Sequence, residues 1–141
     1  MTPTKFLVID TETGGLEPEK HSLLSIGAVV WADCQILDEI EIVVREPVLS
    51  IDPEAIEATG FDLSTLETNG RSPSVAVAEF GVFLDRNFGP AAGRKKIPVA
   101  GHNVSFDIEY FARLYRLAGG KFDGLFSHRV LDTASVLAFL I

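Results

Sequence analysis

Apolar and polar residues follow two distinct patterns in the first third of the chain. Residues 6–10, apolar up to the final aspartate, and residues 23–31, apolar almost throughout, are typical of buried strands, and the second run predicts a central one. At residues 36–44, isoleucine and valine alternate with glutamate, which predicts a half-exposed third strand. Only residues 32–35 separate the second and third strands, so we expect a hairpin there.

The rest of the chain predicts helices alternating with two short strands. The helices are predicted at residues 53–58, 72–87 and 105–118, with a last one beginning near residue 134. The strands are predicted at residues 97–100 and 130–132. The order of three strands followed by crossover units is typical of an α/β fold with a mixed sheet flanked by helices.

Capping residues and apolar spacing give two of these helices their expected ends and faces. Ser72 and Pro73 suit the cap and the first position of one helix, and Gly119 and Gly120 suit the end of the other. The earlier helix is predicted to face inward through Val75, Val82 and Phe83. The later one carries its apolar residues on one side: Phe106, Tyr110, Phe111, Leu114 and Leu117.

Composition favours one domain spanning residues 1–141, because 47% of the residues are hydrophobic and can fill a single core. No apolar run approaches the roughly 20 residues that span a membrane, and residues 1–5 lack the pattern of a signal peptide. We therefore expect a cytoplasmic protein. A single cysteine, Cys34, excludes an internal disulfide and a cysteine-rich zinc site.

The formal net charge of −8 restricts the kind of nucleic acid that the chain could bind. Phosphate contacts usually demand a basic surface, so a processive binder of long duplex is disfavoured. An enzyme that holds a few terminal nucleotides through divalent ions stays compatible, because the ions supply positive charge locally. Residues 94–96 form the one basic cluster, which we interpret as a solvated loop rather than a phosphate contact.

Two carboxylates close the first strand. Asp10 and Glu12 are two positions apart, so they point the same way and can converge at the open end of a sheet. Side by side they repel unless a cation lies between them, and oxygen ligands suit Mg²⁺ or Mn²⁺. Gly14 and Gly15 then allow another group to approach closely. This segment alone leaves two interpretations open, a metal site and an ordinary surface turn.

A second segment, residues 98–107, reads as a strand running into a helix. Asp107 falls in the first helical turn, where the helix dipole favours a carboxylate. A third acid at such a junction can face the pair formed by Asp10 and Glu12. This second segment favours the metal site over the turn.

Together, VIDTETGGL and AGHNVSFDIEYF resemble the first two motifs of the DnaQ-like, or DEDD, family of 3′-5′ exonucleases, nearest its ribonuclease T and DNA polymerase III epsilon branch. The resemblance covers residues 6–141. It implies a ribonuclease-H-like mixed sheet of strand order 3-2-1-4-5, with the first strand central. The ends of the first and fourth strands would then be adjacent.

The same resemblance implies a site with two Mg²⁺ or Mn²⁺ ions. Asp10 would bridge both ions, Glu12 would bind one, and Asp107 would hold the second directly or through water. Substrate contacts are implied for five residues: Thr11, Thr13, Leu16, Asn103 and Phe106. For several of these a structural role is also open.

Leu16 can act as an apolar wedge against a terminal base or simply pack its turn. Thr11 can offer its backbone and hydroxyl to the terminal nucleotide or fill the other strand face. Asn103 is expected to bond backbone near the first motif, and Phe106 to lie in the core. His102 is a weak candidate for the general base, whereas His21 and His128 are predicted to be solvated in loops.

The family's third motif, which carries a fourth acid and a general base, has no match in these 141 residues. Residues 134–141 are largely apolar without a stop signal, so we expect the native domain to continue into a helix that packs on the sheet. The sequence predicts a 3′-5′ exonuclease acting on single-stranded DNA or RNA 3′ ends, dimeric or polymerase-associated in some relatives. The alternative is a catalytically incomplete binding or interaction module of the same fold.

Overall fold

A five-stranded mixed sheet forms the centre of the computed structural model, which describes residues 4–140. The expectations that concern residues 1–3 and Ile141 lie outside the described residues. The strands are β1 (Phe6–Thr13), β2 (Leu23–Ala32), β3 (Gln35–Val43), β4 (Ile97–Gly101) and β5 (Phe126–Asp132). The helices are α1 (Pro53–Thr59), α2 (Ser64–Asn69), α3 (Pro73–Phe88), α4 (Val104–Leu117) and α5 (Thr133–Leu140).

The strand order β3-β2-β1-β4-β5 confirms the predicted ribonuclease-H-like arrangement. β1 is antiparallel to β2 and parallel to β4, with Leu7 opposite Val99. β1 is therefore the middle strand of the five. β2 is paired on both sides, with β1 and with β3, so the prediction that it is a central strand is confirmed. Its first four residues are all buried irrespective of the face to which they point, which accounts for the apolar run.

The connection between β2 and β3 is the predicted hairpin. Its two loop residues, Asp33 and Cys34, have positive φ angles of 51° and 60°. Two consecutive residues with positive φ are typical of a type I′ turn, which matches the twist of the strands it joins. Beyond the turn, Ile42 is buried and Glu39 and Glu41 are exposed, so the predicted alternation in β3 is confirmed.

Helices α3 and α4 cover one face of the sheet, where the core lies. Phe83 of α3 is buried as predicted, but Val75 and Val82 are 45% and 62% exposed, so their predicted inward orientation is wrong. The buried stripe instead runs through Ala76, Phe80, Phe83 and Leu84. Phe80 packs against Phe83 and Phe111 of α4, and these large rings set the rotation of the helix.

Two expectations about shorter elements also differ from the structure. Helix α2 was not predicted, because it has six residues and buries only Leu66. β5 begins four residues earlier than predicted and is mostly exposed at the edge of the sheet. In α4, Tyr110, Phe111 and Leu114 are buried as predicted, whereas Leu117 at the last position is exposed.

The other face of the sheet, which we call the open face, is only partly covered in the described chain. It presents Val8, Asp10 and Glu12 from β1 and Trp31 from β2, all at least partly exposed. On α5, Phe139 and Leu140 are 89% and 72% exposed. None of the helices in residues 4–140 has the length and apolar character that crossing a bilayer requires.

Candidate active site

The carboxylates of Asp10 and Glu12 lie on the open face at the end of β1. Asp10 is exposed and Glu12 is half-buried. Asp10 is opposite Gly27 of β2, and Gly27 is opposite Glu41 of β3. Because Gly27 has no side chain, the acids of β1 and β3 face one another across a gap. This gap forms part of a cleft of about 630 Å³.

The electrostatics of this cleft disfavour full ionisation. Desolvation raises the pKa of Glu12, and the charges of Asp10 and Glu41 raise it further. Carboxylates that share a site raise one another's pKa in this way unless a cation neutralises them. The cleft therefore favours the binding of positive charge.

Asp107 approaches the same place from the helix-covered face. It lies in the first turn of α4 and is only 3% exposed. Its Oδ1 accepts a hydrogen bond of 2.6 Å from Thr11 Oγ1. Burial raises the pKa of Asp107 to about 6, the Thr11 hydrogen bond opposes that rise, and the charge of Asp10 adds to it. Asp10 is thus electrostatically coupled to both Glu12 and Asp107.

The chemistry of these three residues fits a divalent cation. Their donors are hard oxygens, and their mutual repulsion would be relieved by positive charge. Over residues 4–140, however, no group of three or more Asp, Glu, His or Cys side chains is arranged to hold a metal ion. Asp107 is instead hydrogen-bonded to Thr11. The metal centre formed by Asp10, Glu12 and Asp107 stays a prediction.

Leu16 follows the glycine pair and is 81% exposed, so the alternative that it packs its turn is wrong. The backbone just before it is held firmly. Thr13 Oγ1 and Tyr110 Oη both donate to the carbonyl oxygen of Gly15, at 2.8 and 2.7 Å. The side chain of Leu16 is therefore presented to solvent from a fixed backbone.

Thr11 and Thr13 both lie on the covered face of β1 and are buried. Their hydroxyls are engaged inside the protein, by Asp107 and by Gly15 respectively. Thr11 therefore fills the inner strand face, the alternative that the sequence left open. A contact between substrate and the backbone of either residue stays a prediction.

His21 is buried, and the prediction that it would be solvated is wrong. Its Nδ1 accepts a hydrogen bond of 3.2 Å from the backbone of Glu17. A Cβ atom at Gly15 would overlap with the His21 ring. Only glycine at position 15 leaves room for the His21 ring. The close approach that the glycine pair predicted is therefore made by His21. His128 is exposed as predicted, but it lies in β5 rather than in a loop.

An ion pair that the sequence did not predict lies beneath the loop that carries Gly15 and His21. Arg113 of α4 donates from Nε and Nη2 to the two carboxylate oxygens of Glu46, at 2.8 and 2.7 Å. Both residues are buried. The only sequence signal was an arginine among the apolar residues of a helix, and its acidic partner is 67 positions away.

The junction between β4 and α4 is held by Asp132 at the end of β5. Its Oδ1 accepts the backbone N–H of Asn103 and of Ala134, both at 2.9 Å, and its Oδ2 accepts that of Val104 at 3.3 Å. Desolvation raises the pKa of Asp132, but these hydrogen bonds outweigh it and the net shift is downward. One carboxylate thus caps the starts of two helices.

Asn103 is placed differently from the expectation. Its backbone N–H is bonded to Asp132 rather than its side chain to the first motif, and it adopts the left-handed conformation with φ 56° and ψ 47°. The side chains of Asn103 and His102 are both exposed. His102 Nδ1 lies 3.1 Å from Thr133 Oγ1. Phe106 is half-buried, with its ring centroid 5.1 Å from that of Tyr110.

Comparison with known proteins agrees with this architecture. The exonuclease family model of the ribonuclease T type matches residues 7–137. The chain is 34% identical over 110 residues to the DNA polymerase III PolC-type of Thermotoga petrophila, covering 78% of the chain and 7% of that protein. It is 29% identical over 113 residues to the 3′-5′ DNA exonuclease Cap18 of Escherichia coli, covering 78% of the chain and 58% of that protein.

Solved structures show the same fold. A crystal structure of E. coli exonuclease I in complex with a dT13 oligonucleotide superposes with a TM-score of 0.74 at 17% identity, covering 95% of this chain and 29% of that one. The chain thus spans less than two thirds of each of these relatives. With a family match over nearly its whole length, the chain belongs to the DnaQ-like exonuclease family.

Proposed function

We propose that the chain carries the core of a metal-dependent 3′-5′ exonuclease that removes nucleotides from single-stranded DNA or RNA ends. One observation carries the proposal: the carboxylate pair of exposed Asp10 and half-buried Glu12 is followed within six residues by the exposed Leu16 on a firmly held backbone. At such a strand end, the two carboxylates can bind cations that relieve their repulsion, and the leucine can pack against a nucleotide base.

The proposed ions are Mg²⁺ or Mn²⁺, held by Asp10, Glu12 and Asp107. When bound, they would supply positive charge and a water of lowered pKa for phosphodiester hydrolysis. The protein's own contribution is positional. Thr11 fixes the Asp107 carboxylate from the covered face, while β1 aligns Asp10 and Glu12 on the open one.

Support for a nucleic-acid end as substrate comes from the relatives and from Leu16. Cap18 is described as a 3′-5′ DNA exonuclease, and the exonuclease I structure holds a dT13 oligonucleotide. Apolar packing against a base is tolerant of base identity. The enzyme should therefore select unpaired ends rather than particular bases. Association with a polymerase is suggested by the PolC-type relative, and a homodimer stays an expectation from the family.

A second candidate is a binding or interaction module that keeps the fold without catalysis. It is favoured by the lack, within residues 4–140, of a side-chain group arranged to hold a metal ion. His102 is exposed and near Thr133, but no contact in the described chain places it as a general base for the carboxylates.

Metal binding and cleavage together separate the two candidates. Calorimetric titration with Mn²⁺ is expected to show weak binding to the parent chain and much weaker binding to Asp10→Asn. The matched control is Glu39→Gln, an acid of the same cleft outside the proposed ligand set, which should bind nearly as the parent does. Equal Mn²⁺ affinity in the parent and Asp10→Asn would overturn the site assignment.

A nuclease assay on 3′-labelled single-stranded oligonucleotides completes the test. Without a third motif, we expect the 141-residue form to cut slowly or not at all. Cutting, or Mn²⁺-dependent oligonucleotide binding, that is lost in Asp10→Asn supports the exonuclease. Oligonucleotide binding that neither Mn²⁺ nor Asp10→Asn changes supports the binding module.

A further inference from the structure

Helix α4 touches the strand and loop before β2 at three successive points. Asp107, Tyr110 and Arg113 are spaced three residues apart on this helix. Asp107 accepts from Thr11, Tyr110 donates to Gly15, and Arg113 Nη1 donates to the carbonyl of Pro18 at 3.0 Å. Later residues of α4 thus contact later residues of the segment before β2. The element that carries the third carboxylate therefore also holds the backbone on either side of Leu16.

The Arg113 contact is itself fixed by Glu46. The two side chains form a bidentate pair, a geometry that restricts orientation as well as adding energy. Glu46 Oε2 also accepts the backbone N–H of Leu23 at 3.0 Å, where β2 begins. The pair thus links α4 to the middle and to the end of the loop formed by residues 14–22.

Other contacts hold the glycine pair from the opposite side. Gly14 donates to the carbonyl of Ser22 at 2.8 Å and accepts from the backbone of Asp52 at 2.6 Å. A Cβ at Gly14 would lie 2.8 Å from the carbonyl oxygen of Ser50, so there is no room for a side chain. The backbone before Leu16 is restrained on both sides, although the Leu16 side chain itself is exposed.

We propose that Tyr110 and the Arg113–Glu46 pair are positioning residues that hold Leu16 at a fixed place relative to the carboxylates, so that a 3′-terminal base packs against it. The inference rests on the proposed function and adds the residues that set its base contact. A preformed contact avoids the entropic cost of ordering a loop on binding. Loosening the loop should weaken the base contact without removing Leu16 itself.

Tyr110→Phe tests the idea most cleanly, because it keeps the buried ring and removes only the hydroxyl that reaches Gly15. Its matched control is Tyr115→Phe on the same helix, where the ring packs against Phe122 instead. If the Tyr110 hydroxyl served stability alone, Tyr110→Phe would change unfolding and leave base binding as in Tyr115→Phe.

The measurement compares two single-stranded oligonucleotides, one with a 3′-terminal base and one with a 3′-terminal abasic nucleotide. Binding is followed by fluorescence anisotropy with Ca²⁺, which is used to suppress hydrolysis. The parent and Tyr115→Phe should prefer the base-bearing end. Tyr110→Phe should lose roughly fivefold of that preference, the size expected for one neutral hydrogen bond. Amide hydrogen exchange in residues 14–22 should be faster in Tyr110→Phe than in Tyr115→Phe.

A double-mutant cycle with Leu16→Ala decides whether the effect passes through Leu16. The double variant should lose no more preference than Leu16→Ala alone. Additive losses, or a full preference in Tyr110→Phe, would overturn the inference and leave the proposed function standing. A parent protein without any preference for the base-bearing end would instead contradict the base contact on which both proposals depend, whatever the exchange rates show.

Discussion

The two faces of β1 have opposite physical characters although they alternate along a single strand. On the covered face, Leu7 and Ile9 lie in the core and Thr11 is hydrogen-bonded. On the open face, Asp10 and Glu12 lie close together, and the charge of Asp10 disfavours the ionisation of Glu12 and of Asp107. The covered face stabilises the fold, whereas the carboxylates of the open face repel one another until a positively charged ligand binds. The two sets of residues lie on opposite faces because successive side chains of a strand point in opposite directions.

The largest effect is expected on the covered face. Phe80→Ala should lower the free energy of unfolding by about 3–5 kcal/mol, because it opens a cavity among packed rings. Guanidinium titration followed by circular dichroism measures this. Val82→Ala, on the exposed side of the same helix, is the control and should change stability by well under 1 kcal/mol. Equal losses in the two variants would mean that α3 packs in another rotation.

Asp107→Asn should stabilise the metal-free protein at neutral pH. Because the folded-state pKa is raised from 3.8 to about 6, the folded state binds the proton more tightly than the unfolded state. This contribution to stability is complete below about pH 4 and is lost as the pH rises through 6. Asparagine carries no charge to desolvate, so the gain at pH 7 should be about 1–3 kcal/mol and should vanish at pH 4. Urea titrations with a chelator at both pH values test it, and a gain that is independent of pH would refute it.

Asp10→Asn should have a smaller effect on stability, because Asp10 is exposed. Removing its charge relieves repulsion on both Glu12 and Asp107 and should stabilise the metal-free protein by less than about 1 kcal/mol. The pKa of Asp107 should fall towards its ordinary value, which a carboxyl NMR titration can follow. Asp33→Asn, an exposed acid in the β2–β3 turn, is the control and should leave that pKa unchanged.

Leu16→Ala should have the smallest effect on stability, within about 0.5 kcal/mol, because the side chain buries little apolar area. Its cost should appear only in the binding of oligonucleotides with a terminal base. Thermal unfolding and anisotropy measured on the same preparation separate the two quantities. A large loss of stability would show that Leu16 is packed rather than presented.

The sequence predicted features that depend on local pattern. The strand order followed from a resemblance carried by two motifs, and Asp10 and Glu12 share a face because strand geometry requires it. The rotation of α3 could not be predicted, because its valines and its phenylalanines define two overlapping apolar faces. Packing against the aromatic rings of α4 determines which of the two faces is buried. The hydrogen bond between Asp107 and Thr11 could not be predicted either, because the two residues are 96 positions apart and no local pattern links them.

The acids of the proposed site are far apart in the sequence, with Asp10 and Glu12 in β1 and Asp107 in α4, and this separation affects how the protein folds. β1, β2 and β3 are joined by short connections, whereas the β1–β4 pairing brings Leu7 beside Val99. Closing so long a loop is entropically costly and slow. We expect the three-stranded meander to form first and the neighbourhood of Asp107 to form late. Pulse-labelled hydrogen exchange should therefore protect the amides of β2 before those of β4, and the three acids of the proposed metal site should come together only in the last step of folding.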